Sequence, residues 1–256
     1  MIFMSEQIKN SKLNLRFWLS ALGVTEAVVL LAFVTNQIRD PMPDFASISD
    51  VNERKEAFFN YLRPAIDSLN SERQEERERL LAIRDEVASG ESPGFFDKRR
   101  LRDWSERYDV NYEPDDLAST IDELLLHLDQ IPESMVLAQA AMESAWGTSR
   151  FAVDGKNFFG QWCYSAGCGL IPSRRESGAS HEVRVFNSAE ASVRSYFRNI
   201  NSHAAYEELR DMRSASRRAG RGLSGHRLVE GLESYSQRGQ AYIDELKSVI
   251  SFNDLE

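Results

Sequence analysis

The sequence predicts an α+β fold, mostly helical with one small, short-stranded insertion. Three observations carry that prediction. Apolar residues recur at helical spacing through most of the chain after Asp50. A Gly-rich segment around Cys163 and Cys168 interrupts the pattern. Beyond it, residues 182–186 (EVRVF) alternate in strand fashion. At 256 residues the chain can hold one large domain and a helical extension.

Taken in order, the chain opens with Lys9, Lys12 and Arg16 ahead of an apolar run at residues 17–35 (FWLSALGVTEAVVLLAFVT). A basic flank before nearly the ~20 residues needed to cross a bilayer predicts a membrane signal-anchor over residues 1–38. Its basic end would sit in the cytoplasm, with the remainder exported. A cleaved signal peptide is the runner-up and a buried soluble helix comes third. Glu26 interrupts the run, and no small-x-small cleavage site follows it. Residues 39–49 contain Pro41 and Pro43 and read as a linker. A charged helical extension is assigned to residues 50–130, beginning with a helix to about Val87. Within it, residues 71–79 are polar all round, which predicts a solvated stretch laced with i,i+4 pairs. SGESPG at residues 89–94 breaks the pattern, and further helices are expected near residues 97–107 and 114–129.

From residue 131 onward 15 basic residues balance 15 acidic ones, so the net charge of −9 lies wholly upstream. With no basic stripe to neutralise phosphates, this argues against nucleic acid, while a neutral glycan remains compatible. Residues 132–147 (PESMVLAQAAMESAWG) form the predicted central helix. Pro132 suits its first position and Gly147 a left-handed stop. Val136, Gln139, Ala140 and Glu143 fall at i, i+3, i+4 and i+7 and share one face, otherwise small and apolar. A carboxylate ending such a stripe is partly desolvated, which raises its pKa and suits it to act as a general acid. The spacing equally accommodates a Glu143 that caps a core helix or pairs with an arginine.

Residues 149–153 start the next helix, residues 157–160 look extended, and residues 161–169 form a tight loop. Its two cysteines read as a local disulfide closing a turn if the compartment is oxidising, which agrees with export; an ordinary pair of buried thiols is the alternative. The four histidines (His127, His181, His203, His226) are scattered, so no metal site is expected. Asn187 and Ser188 can cap a helix with apolar positions Val193, Tyr196, Phe197 and Ile200. HAAYEELRDM, RLVEGLESY and QAYIDELKSVI supply three more helices.

AQAAMESAWGTSRF, NFFGQW, and VFNSAEASVRSYFRNI followed by AYEELR, in that order, resemble the bacterial peptidoglycan endo-beta-N-acetylglucosaminidases of flagellar muramidase and autolysin type. GQWCYSAGCGLIP with HEVRVF is similar to their Bax-type branch, which carries an N-terminal helical extension. The match is good over residues 132–250 and looser over 50–129. The resemblance implies a lysozyme-like α+β catalytic domain, assigned to residues 131–256, whose helical body and small β-lobe flank a glycan cleft. It implies hydrolysis of the β-1,4 bond after N-acetylglucosamine in peptidoglycan glycan strands, with no cofactor or metal. With the anchor reading, it puts the protein at the inner membrane and its catalytic domain in the periplasm. No protein partner is indicated.

The resemblance also places the catalytic acid on Glu143. Trp146 and Gly147 match the family pattern just after it. Asn157 and Gly160 match its asparagine-aromatic-aromatic-glycine element, and Tyr235 and Tyr242 resemble its late, cleft-facing tyrosine segment. Glycoside hydrolysis usually needs two carboxylates, one protonated and one ionised. Candidates for the second are Glu176, which Arg174 and Arg175 would keep ionised, and Glu182, expected to face solvent or the cleft. A third route uses the substrate's own N-acetyl group, oriented by Tyr235 or Tyr242. Flat aromatic faces suit sugar stacking, and Trp162 is the chosen platform. Trp146, Asn157, Phe158, Gly160 and Trp162 thus make up the expected substrate-binding set. Two other functions fit the same residues: lytic transglycosylase-like cleavage, and a non-catalytic wall-binding or scaffold module.

Overall fold

A computed structural model describes residues 42–173 and 180–256. The expected membrane segment and Glu176 lie outside these residues. Among the described residues no helix is long and apolar enough to cross a membrane. The helices are α1 (Val51–Ala88), α2 (Phe95–Tyr108), α3 (Leu117–His127), α4 (Glu133–Ser144) and α5 (Arg150–Gly155), then α6 (Ala189–Ser202), α7 (Glu207–Arg218), α8 (Gly225–Leu228) and α9 (Gln240–Phe252). Between α5 and α6 lie three short strands, β1 (Trp162–Cys163), β2 (Gly169–Leu170) and β3 (Glu182–Arg184). The arrangement is the expected α+β, helical with a minor sheet.

Helix α1 spans about 57 Å at 1.5 Å per residue. Asp50 caps it, its carboxylate accepting from the Asn52 and Glu53 amides at 2.8 and 2.9 Å. Pro64 sits inside it, where proline costs roughly 3 kcal/mol or more. Phe58, Phe59, Leu62 and Ile66, all buried around that point, outweigh the cost at ~1.5–3 kcal/mol each. The second half of α1 shares a core with α2 and α3 through Leu80, Ile83, Leu101, Trp104, Ile121 and Leu124. Its first half packs on α4. Residues 43–256 thereby form one compact unit.

The polar stretch at residues 71–79 is only in part the solvated helix its composition suggests: Gln74 donates to Glu78 in an exposed i,i+4 pair, but the arginines turn inward. Arg73 is buried and donates to the Tyr108 hydroxyl. Arg77 donates to the Leu125 and Leu128 carbonyls and pairs with Asp129, while Arg79 holds Asp97. These three arginines face other helices, which residue type alone does not reveal. Burial works against the charge on Asp129, but Arg213, Arg217 and Arg77 together hold its carboxyl below the ordinary range.

The sheet has order β1-β3-β2, both pairings antiparallel, with Trp162 opposite Val183 and Gly169 opposite Arg184. Only glycine fits at Gly169, where a Cβ would stand 2.0 Å from the Val183 carbonyl oxygen. Cys163 and Cys168 are bridged, closing the turn between β1 and β2. β3 stops at Arg184, short of the expected residue 186, because the Phe186 amide turns away to the Gly155 carbonyl at 2.8 Å.

Candidate active site

Helix α4 is buried almost all round: Met135 to Ala141 are inaccessible, packed against α1, α8 and α9. Ala138, Ala140 and Ala141 permit this close approach. The helix ends at Ser144, three residues before the expected Gly147. Ala145, Trp146 and Gly147 follow with φ of 50°, 58° and 76°, a left-handed run that costs the two non-glycine residues about 1–2 kcal/mol each. Two bonds hold it: Trp146 N–H to the Ala141 carbonyl and Gly147 N–H to Ser144 Oγ, both at 2.8 Å. Gly147 is required, since a Cβ there would meet the Phe45 ring at 2.5 Å. The turn lays Trp146 edge-on against Phe58 and Phe59, at 6.0 and 5.4 Å between ring centroids.

Glu143, in the last turn before this run, borders a cleft of about 400 Å³ that Met142, Trp146, Ser236, Arg238, Tyr242 and Glu245 also line. Its carboxyl is half-buried. Burial raises its pKa above the ordinary value; hydrogen bonding from Tyr242 and the charge of Arg238 pull it back only in part. The Tyr242 hydroxyl donates to Glu143 Oε1 at 2.9 Å and accepts from Gln139 Nε2 at 3.0 Å. Gln139 Oε1 in turn accepts from the Tyr196 hydroxyl. Burial pushes both phenols up, so each remains protonated and able to donate. A one-way relay, Tyr196 to Gln139 to Tyr242 to Glu143, thus ends on one carboxylate oxygen. The other, Oε2, lies beside Gly160, where a Cβ would come within 3.5 Å of it.

The remaining predicted residues divide sharply. Tyr235 stacks parallel to Tyr242 at 5.7 Å and donates its hydroxyl to the Phe159 carbonyl at 2.9 Å. Asn157 is 1% exposed, and its amide is fully engaged with backbone. It donates to the Gln161 and Arg184 carbonyls and accepts from the Phe159 and Gln161 amides. Its place is to shape the loop that presents Gly160, not to touch a ligand. Phe158 is likewise a core residue, buried against Phe58 and Tyr61. Trp162 is 55% exposed and stacks on His181 at 4.1 Å.

Glu182 contradicts the expectation of a solvent- or cleft-facing carboxylate. It is 6% exposed, and its two oxygens accept from the Gly167 and Gly169 amides at 3.0 and 2.8 Å. The strand reading assumed a regular alternation, but Glu182 and Val183 are both buried because the disulfide-closed turn folds over the strand end. Glu182 anchors that turn.

Helical spacing sets Gln139 on the Glu143 face without a role, reads Tyr196 only as an apolar helix position, and does not single out Arg238 or Glu245. Gln139 was findable, four residues before Glu143 and polar on an apolar face. The other three come from distant elements, and no local pattern announces them.

The family described as mannosyl-glycoprotein endo-beta-N-acetylglucosaminidase matches residues 121–255. Protein bax of Escherichia coli (strain K12) is 31% identical over 212 residues, covering 83% of this chain and 74% of that protein. No solved structure matches the chain. On both comparisons the chain belongs to the glucosaminidase family, on its Bax-type branch.

Proposed function

We propose that the protein hydrolyses the β-1,4 bond after N-acetylglucosamine in peptidoglycan strands, with Glu143 as general acid. The observation that carries this reading is the half-buried Glu143 carboxyl at the cleft wall, with one oxygen engaged by Tyr242 and the other beside Gly160. A carboxyl so held keeps its proton on Oε2 and delivers it to a glycosidic oxygen over Gly160, where no side chain intervenes. As the C1–O bond breaks, positive charge develops at C1.

For the nucleophile we favour the substrate's own acetamido oxygen, closing a ring on C1. Among the described residues Glu182 is committed to backbone amides, and Glu245, the other acid lining the cleft, pairs with Arg238 at 2.7 Å. Tyr235 retains an acceptor lone pair for the acetamido N–H. Water then adds at C1 as the C1–O bond to the acetamido oxygen breaks, and the Glu143 carboxylate takes the water's proton, which restores both the acid and the acetamido group. The test is digestion of defined wall strands, reading the cut bond from product masses. New reducing ends on N-acetylglucosamine support the proposal; ends on the muramic sugar, or no products, refute it.

The apolar run at residues 17–35 supports a further proposal: a tether to the inner membrane with the catalytic domain exported to the periplasm. Full-length protein should then stay with membranes through high-salt and carbonate washes. Release into the soluble fraction would overturn the tether.

A further inference from the structure

The family match begins at residue 121, yet α1, which lies outside it, packs against the cleft residue Trp146. Phe58 and Phe59 back Trp146, and one turn earlier Lys55 reaches over the same ring. Lys55 Nζ stands 5.0 Å from the Trp146 ring centroid and 4.6 Å from that of Phe252. Trp146 lines the cleft beside Glu143, and Phe252, 78% exposed, lies one turn beyond the cleft residue Val249 on α9. An ammonium is thus gripped between two aromatic rings at the rim. No carboxylate lies within ion-pair distance of it among the described residues.

Each ring attracts the cation without neutralising it, so the full charge remains available to a ligand. Aromatic rings also fix its position, which a freely rotating lysine lacks. A flat indole beside a held cation matches a sugar ring that carries an acidic substituent. Neutral N-acetylglucosamine polymers have no such group. Peptidoglycan strands do: on alternate sugars they bear a lactyl group, extended by peptides ending in carboxylates.

We propose that Lys55, Trp146 and Phe252 form a cationic subsite that binds a carboxylate of the strand next to the scissile bond. The extension thereby selects the anionic wall polymer over neutral chitin-type chains. This rests on the wall-glycan reading above.

The experiment measures binding, in full-length protein carrying Glu143→Gln so that no turnover intervenes. Three polymers are compared: intact strands, strands stripped of peptide by an amidase so that the lactyl carboxylate is free, and chitooligosaccharide. Lys55→Gln should weaken binding to intact strands roughly three- to tenfold and reduce its salt dependence, with chitooligosaccharide affinity unchanged. Lys55→Arg, which keeps the charge over the rings, should restore it. A loss on stripped strands shows that the lactyl carboxylate, once freed from its amide bond, is bound; a loss confined to intact strands assigns the peptide carboxylates. Equal losses on charged and neutral polymers, or no loss on either charged polymer, would overturn the subsite. Failure of the Lys55 parent to bind any of the three would instead sink the wall-glycan reading and this inference with it.

Discussion

Glu143→Gln is expected to cut the release of new reducing ends from wall glycan by ~10²–10⁴-fold, the usual contribution of a positioned general acid. Glutamine keeps the shape and can still accept from Tyr242 at the position of Oε1, but it has no proton to give. The fold should not suffer. Burial raises the pKa of Glu143 in the native state, so its contribution to stability is fully present below the ordinary carboxylate pKa and is lost as pH rises through the raised value. Above that raised value the ionised side chain is a liability that glutamine removes, so the variant should melt there at the same temperature as the parent or higher. Thermal melts at pH 4 and pH 7, run beside the turnover assay, check both halves. Wild-type-like turnover would remove Glu143 from the mechanism, and a collapsed melt would make the activity loss uninformative about chemistry.

Tyr242→Phe has the second largest expected effect, and its signature lies in the pH profile. The hydroxyl stabilises the ionised form of Glu143, so removing it raises the pKa further. Activity needs the protonated acid and falls as pH rises through that pKa; the alkaline limb should therefore move to higher pH. The plateau should fall roughly tenfold, since a lost hydrogen bond to a charged group is worth about 1.5–3 kcal/mol and the carboxyl loses its orientation. A plain packing defect would lower the plateau without moving the limb. An unshifted limb would therefore contradict the relay. Gln139, whose amide joins Tyr242 to Tyr196, is a positioning residue in the same chain.

Much of this was legible from local spacing. The helices around the cleft, the Ser188 cap of α6, the turn-closing disulfide and the desolvated Glu143 all follow from patterns within a few residues. What could not be read depends on contacts distant in sequence. Whether Asn157 meets a sugar or the Gln161 and Arg184 carbonyls is decided by a loop and a strand that local sequence does not bring together. Glu182 looked like a cleft carboxylate until the Gly167 and Gly169 amides were seen to converge on it. The charge run at residues 71–79 is solvated in isolation and tertiary in the fold, because three other helices supply its partners. The stop at Ser144 was missed because Gly147 is the obvious left-handed residue, and two non-glycine residues adopt that conformation ahead of it.

The central claim, hydrolysis after N-acetylglucosamine with Glu143 as the acid, is tested most directly by digesting peptidoglycan in ¹⁸O-labelled water and sequencing the products by mass. The account predicts one ¹⁸O atom on the anomeric hydroxyl of each new N-acetylglucosamine end, with release of such ends cut ~10²–10⁴-fold by Glu143→Gln. Unlabelled anhydro ends, or label on the muramic sugar, would contradict it.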